Sequence, residues 1–274
     1  MDNQTIGQTI VFEDDNFLVL DKPFGLVVNR SATTNEITLQ DQIAEYLSLA
    51  KDDLGIGDRA GIVHRLDRET SGLILVAKSQ KYFDFLQEQF RQRLVKKQYI
   101  ALVHNFVKED RVVVKSEIGR VGRFGKFGEV KNGKEAETEF TVQGKYTLES
   151  EALDQLIIYG STLDGRGLSS SWTKGRVNYL KRHAIEYTLL DVLPKTGRTH
   201  QIRVHLKAIA HPVVSDLIYD PAKLLKCDLL WCPRLFLHSF RIEFKKRSGV
   251  SGNVVFEAPL PYDLTKSLEL LKKV

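Results

Sequence analysis

An aspartate between two arginines is the feature of this 274-residue chain best suited to do chemistry. Asp67 lies in residues 61–78, G-I-V-H-R-L-D-R-E-T-S-G-L-I-L-V-A-K, between Arg65 and Arg68, and a Thr70-Ser71-Gly72 turn and the apolar run 73–77 follow it. Nearby positive charge favours the carboxylate over the acid, and the carboxylate is the form a nucleophile needs. The same residues also describe an ordinary ion pair at a loop mouth, which perturbs charge without doing chemistry. H-R-L-D is not the kinase catalytic loop H-R-D-L-x-x-x-N, because no asparagine follows at the required place.

Other chemistries leave no pattern. The chain has no P-loop, no dinucleotide fingerprint and no metal-ligand spacing among its seven histidines. Its two cysteines, Cys227 and Cys232, are too few for a disulfide framework and lack C-x-x-C spacing, so free thiols in a reducing compartment are expected. Forty Lys and Arg against 35 Asp and Glu give a net charge of +5 and a pI of about 9.0, which favours polyanionic partners such as nucleic acid. With 42% hydrophobic residues the chain can bury a proper core. No run approaches the roughly 20 apolar residues of a membrane span, and no basic-then-apolar export signal opens the sequence, so a soluble, cytoplasmic protein is expected.

The elements that must position Asp67 follow from periodicity. Residues 10–13 and 17–21 read as a hairpin across Asp14-Asp15-Asn16, and Thr38 caps a helix over 39–49. Residues 73–77 form a buried strand, and Ser79 caps a helix to about Arg93 with Tyr82, Leu86, Phe90 and Leu94 on one stripe. Its basic end (Arg91, Arg93, Lys96, Lys97) suits either a helix C-terminus or phosphate binding. Strands follow over 98–104, 136–142 and 185–193. Residues 119–130, with glycine every third position, read as a twisted basic hairpin or loop. Thr199 caps a helix to about Ile209, with Ile202, Leu206 and Ile209 facing the core and His200, Arg203 and Lys207 pointing outward. Strands near 235–244 and 254–257 and a helix from about Leu264 complete the chain.

Four stretches in the same order resemble the RluA-type pseudouridine synthases: residues 61–78, 97–103 (K-Q-Y-I-A-L-V), 195–206 (K-T-G-R-T-H-Q-I-R-V-H-L) and 237–244 (L-H-S-F-R-I-E-F). The opening 11–29 and the A-P-L-P at 258–261 match too, so the resemblance covers nearly the whole chain, and four ordered motifs are far stronger than one. It implies an α+β fold, a mixed, mainly antiparallel sheet flanked by helices and loops, in one catalytic domain spanning 1–274. With the first strand starting within ten residues of the N-terminus, no separate RNA-binding module is expected before it. The implied activity is isomerisation of uridine to pseudouridine in structured RNA, ribosomal or transfer, by a monomer without cofactor or metal. Asp67 would attack ribose C1′ or uracil C6. Tyr99 would stack on the base and serve proton transfer, and Arg203 would pair with Asp67. Arg65 would fill the gap left by the flipped nucleotide, with further RNA contacts from His64, Arg68, Arg198 and His200. Two other classes stay open: a catalytically silent RNA-binding or RNA-folding protein, and a hydrolase that uses Asp67 as base and releases uracil.

The family pattern breaks at residues 146–180, expected as an irregular insertion closing over the RNA, with Lys174, Arg176, Lys181 and Arg182 as candidate phosphate ligands. Ala210 and Ser215 stand where relatives usually carry glycine, which puts the local loop geometry in question.

Overall fold

The computed structural model describes residues 6–31, 35–49, 56–122, 125–163, 172–246 and 252–274. In chain order the elements are β1 (Ile10–Glu13), β2 (Phe17–Lys22), α1 (Leu39–Tyr46), β3 (Ser71–Ala77), α2 (Gln80–Arg91), β4 (Lys96–His104), β5 (Arg111–Arg120), β6 (Phe127–Glu129) and β7 (Lys134–Thr147). There follow α3 (Ser150–Leu163), α4 (Lys174–His183), β8 (Glu186–Pro194), α5 (Gln201–Ala208), α6 (Ala222–Asp228), β9 (Leu237–Lys245), β10 (Asn253–Glu257), α7 (Tyr262–Glu269) and β11 (Lys272–Lys273). They form two compact units, Met1–Gln98 with His238–Pro259, and Tyr99–Leu237 with Leu260–Val274.

In the first unit β1 and β2 make the expected hairpin, and β2 pairs antiparallel with β3 from Phe17↔Ala77 to Lys22↔Gly72. β3 then runs parallel to β9 at Ser71↔His238, and β10 pairs antiparallel with β9. β3 is buried along its whole length, which is why S-G-L-I-L-V-A reads as a near-continuous apolar run instead of alternating. Ser79 caps α2, whose Tyr82 and Leu86 enter the core with Phe17, Leu75 and Phe244; Tyr82 stacks on Phe17 at 5.3 Å. Each fully buried side chain of this size contributes roughly 1.5–3 kcal/mol. Thr38 and Asp41 cap α1 reciprocally, and the helix ends at Tyr46, earlier than its periodicity suggested.

In the second unit the strands run β4-β8-β7-β5-β6, all antiparallel, with β11 on the far part of β7. The glycine-rich stretch is the β5–β6 hairpin; Gly122 and Gly125, both at positive φ, lie between the strands, and Arg123 lies outside the described residues. β7 is longer than the expected 136–142 strand because a bulge between Val142 and Gly144 lets it continue to Thr147.

The expectation of an irregular segment over 146–180 is corrected. Its described part is mostly helical: α3 and α4 pack against each other and against α6, with Leu153 and Leu180 buried. Thr173 caps α4 by accepting from Arg176 N–H. Gly160, Ser161 and Thr162 disguised α3 because they are poor helix formers; the two hydroxyls instead bond back to the carbonyls of Ile158 and Tyr159. Gly165, Gly167 and Ser169 to Ser171 lie outside the described residues.

Candidate functional site

The loop carrying Asp67 is held at both ends by glycines that no other residue could replace. Gly61 has φ 83° and a Cβ there would lie 2.0 Å from Ala77 O; Gly72 has φ 113° and a Cβ would lie 2.4 Å from Ser239 O. Between them the chain runs back along β3, with an Ile62↔Val76 bridge and Leu75 N–H donating to His64 Nε2 at 3.0 Å. Leu66 and Thr70 are buried, Arg65 and Arg68 are exposed, and Asp67 is half-buried, its carbonyl accepting from Thr70 N–H in a tight turn. Lys22, fully buried, donates to the carbonyls of Pro23, Leu26 and Arg68, so a cation ties the loop's far side to the end of β2. Beneath the turn, His238 Nε2 faces Ala258 O, a pure acceptor. That assigns the proton to Nε2 and leaves Nδ1 to accept from Ser71 Oγ at 2.9 Å.

Neighbours in sequence are not all neighbours in charge. The Arg68 guanidinium donates to Gly25 O at 3.2 Å and to Glu36 at 3.1 Å, so it serves the loop's own surface. His64 packs on Phe90 with ring centroids 5.0 Å apart; burial, then the Lys97 charge, push its imidazole down to about 3. His64 is therefore a neutral support of the loop and not a cation. Burial also lowers Lys97 to about 8.

In the second unit Tyr99 is buried on β4 opposite Val192. The outward placement expected for Arg203 is corrected: it is 1% exposed, and α5 is buried from Gln201 through Leu206. The 3.6 period identifies the apolar stripe but not whether a second layer covers the opposite face. Here polar partners cover it. Gln201 Nε2 donates to Glu137 O and Thr138 Oγ1, His205 bonds Thr138 Oγ1 and Ser116 Oγ, and Arg203 grips Asp216 through Nε and Nη2, both at 2.7 Å. Burial pushes His205 down to about 4.

Thr199 does not cap α5. His200 is the N-cap residue, in the left-handed region at φ 55°, and makes no side-chain cap bond. Gln201 Oε1 instead accepts from Arg198 N–H and Thr196 Oγ1, which folds the turn onto the helix start; histidine tolerates positive φ better than most residues. Arg198 Nε donates to Glu135 O, and His200 Nδ1 lies 2.9 Å from Tyr219 Oη. Tyr219 is buried, bonded to both backbone groups of Phe127, and its ring lies 5.2 Å from the Arg203 guanidinium.

Sequence reasoning gave no role to Asp216 or Tyr219, although an aspartate and a tyrosine inside the mostly apolar V-V-S-D-L-I-Y were the available signal. Asp216 Oδ1 also accepts from Ile218 and Tyr219 N–H, so one carboxylate orients the arginine and shapes the turn. Ala210 and Ser215 both keep positive φ, 64° and 59°, so the turn geometry that glycine would favour survives without it. Nor did spacing reveal a second cluster, His104 with Asp220 and Asp228, drawn together from β4 and from either end of α6.

Comparison with known proteins agrees with this architecture. The family model described as RNA pseudouridylate synthase matches residues 16–208. The chain is 33% identical over 277 residues to the ribosomal large subunit pseudouridine synthase D of Nitrosomonas europaea, covering 99% of this chain and 67% of that protein. It is 31% identical to the ribosomal large subunit pseudouridine synthase C of Pasteurella multocida, covering 98% and 69%. Among solved structures, human RNA pseudouridylate synthase domain containing 1 superposes with a TM-score of 0.66 at 23% identity, covering 97% of this chain and 88% of that one. A domain match that takes in Asp67, Tyr99 and Arg203, together with relatives aligned over nearly the whole chain, establishes that this protein belongs to the RluA-type RNA pseudouridine synthases.

Proposed function

We propose that this pseudouridine synthase acts on large-subunit ribosomal RNA, with Asp67 as nucleophile, Tyr99 stacking on the base and Arg203 orienting the carboxylate. The observation that carries the reading is the family match over 16–208, which contains all three residues in their motifs; the ribosomal substrate follows the names of the two relatives. In the reaction the N1–C1′ bond breaks, the base turns without leaving, C5 joins C1′, the C5 hydrogen departs as a proton and N1 ends protonated. No electrons are exchanged. Attack by Asp67 at C1′ or at C6 both begin from an ionised carboxylate on a loop that cannot drift, and rigid placement is what converts a weak nucleophile into an effective one. Two of the five N–H donors of Arg203 are committed to Asp216, which sets the plane of the guanidinium.

Arg65, exposed on the loop, suits the role of filling the stack when the nucleotide is flipped. Arg198 and His200 stand on the α5 turn with Arg120 and Lys126 of the neighbouring hairpin, where aromatic and basic side chains alternate. On the inserted helices Arg176 and Lys181 have structural partners, the carbonyls of Ala222 and Lys223 and the carboxylate of Asp154. Lys174 and Arg182 remain exposed and are the phosphate ligands we assign to α4.

The test is a transcriptome-wide pseudouridine map from cells lacking this protein. Loss of one or more large-subunit ribosomal sites, restored by the wild-type protein and not by Asp67→Asn, is expected. Loss confined to transfer RNA would overturn the substrate. Tritium release from C5-labelled uridine by Asp67→Asn would overturn the mechanism.

A further inference from the structure

The cluster of His104, Asp220 and Asp228 uses none of the residues assigned to pseudouridine formation, and its side chains are completely shielded from solvent. His104 ends β4, Asp220 precedes α6 by two residues and Asp228 ends it, so three separate points of the second unit converge. His104 Nε2 lies 2.9 Å from Asp228 Oδ2 and 3.6 Å from Asp220 Oδ1, and one ligand atom from each residue falls within 4.8 Å of the others. Neither Asp220 oxygen has a hydrogen-bond partner, and Asp228 Oδ1 has none either. Carboxylate oxygens buried with so few donors are an expensive arrangement.

We propose that His104, Asp220 and Asp228 bind one divalent transition-metal cation of the zinc class. Tetrahedral ligands about 2.1 Å from such an ion sit roughly 3.4 Å apart, and the two observed separations bracket that spacing. Binding of the ion displaces the proton that His104 Nε2 shares with Asp228 Oδ2 at 2.9 Å, so that two carboxylates and a neutral imidazole face the cation, which also satisfies the oxygens that have no donors. The imidazole nitrogen selects against magnesium and calcium, which take oxygen ligands. A cavity of about 240 Å³ lined by His104, Asn105, His183 and Lys207 lies beside the cluster. The group whose ligand atoms converge is His104, Asp220 and Asp228, without Cys227 or Cys232. The ion ties β4 to both ends of α6, the helix on which α3 and α4 pack, so its role is to anchor the inserted helices.

The full-length protein, stripped with chelator and dialysed, is titrated with zinc, with magnesium as comparator. One zinc per chain is expected, with the unfolding midpoint raised by roughly 5–8 °C at a hundredfold excess over Kd and no response to magnesium. Cobalt(II) in the wild-type protein is expected to show visible d–d bands without the intense near-ultraviolet thiolate band, and His104→Gln is expected to weaken zinc at least tenfold. Absence of stoichiometric zinc binding overturns the proposal, leaving a proton-sharing carboxylate pair. So does a thiolate band, which would place the ion on Cys227 or Cys232, and so does unchanged affinity in a folded His104→Gln. The cobalt spectrum decides the matter if that variant does not fold.

Discussion

Asp216→Asn is expected to be among the most damaging single changes in the second unit, although it alters one atom. The Arg203 side chain is 1% exposed and that of Asp216 is 0% exposed, so water cannot replace either partner. Oδ2 accepts from Arg203 Nε at 2.7 Å, while Oδ1 accepts from Nη2 at 2.7 Å and from two backbone N–H groups. An asparagine must keep its oxygen at the Oδ1 position to satisfy those three donors. Its NH₂ then faces Nε–H, donor against donor, and the buried guanidinium loses the charge of Asp216. Breaking one side of such a pair costs about 3–5 kcal/mol, a large part of a typical stability of about 5–15 kcal/mol, and lowers the melting temperature by roughly 6–15 °C. Equilibrium urea denaturation with near-ultraviolet circular dichroism reads the change directly. The comparison that isolates the cause is the double variant Arg203→Met/Asp216→Leu. Replacing a whole buried pair by apolar groups is often nearly neutral, so the double variant is expected to regain much of the stability lost by Asp216→Asn while remaining inactive, because it lacks the orienting arginine. A cost below about 1 kcal/mol for Asp216→Asn, or a double variant less stable than the single one by the full sum of two deletions, would refute the argument that breaking the buried Arg203–Asp216 pair is the source of the loss.

Further outcomes follow from other parts of the molecule. Ala210→Gly is expected to leave stability within about 1 kcal/mol of wild type or raise it slightly, since relief of a left-handed alanine at φ 64° opposes the added unfolded-state entropy; Ser215→Gly, at φ 59°, loses the 2.6 Å bond from Ser215 Oγ to Cys232 O and is expected to destabilise, so chemical denaturation separates the two. His64 and His205, held at about 3 and about 4 in the folded protein, stay neutral where the unfolded chain takes up protons; stability is therefore full above about pH 6.5 and falls as pH drops below it, by at most about 1.4 kcal/mol per unit for each histidine. His64→Gln is expected to flatten part of that slope, and an unchanged slope in a folded variant would contradict the assignment. Charge reversal of Lys174 and Arg182 is expected to weaken RNA binding and reduce the salt slope of log K by about 2, with the single-turnover maximal rate unchanged; a collapsed rate with unaltered affinity would place α4 in the chemistry instead.

What could be read from the sequence was whatever the backbone decides locally. The Asp67 loop is one case, because Gly61 and Gly72 occupy positions where a Cβ would strike backbone at 2.0 and 2.4 Å, so the motif is written in residues that have no substitute. β3 is another, since burial on both faces makes it apolar without interruption. α5 shows where this kind of reading stops. Its apolar stripe was legible, yet Arg203 was assigned to solvent because polar residues usually are, no position was read for Gln201 or His205, and the structure buries all three. Each has a partner far along the chain: Thr138 for Gln201 and His205, and Asp216 for Arg203. A buried polar residue is indistinguishable in sequence from an exposed one until its partner is known, and the partner is supplied by sheet register. His104, Asp220 and Asp228 carry the same logic further, since 116 positions separate the first from the second. Ala210 and Ser215 show it in reverse: their departure from glycine put the turn in doubt, but the Ser215 hydroxyl bonded to Cys232 O stabilises a backbone conformation that its own Cβ disfavours. In all these places the polar atoms, and not the apolar pattern, determine where the chain must go.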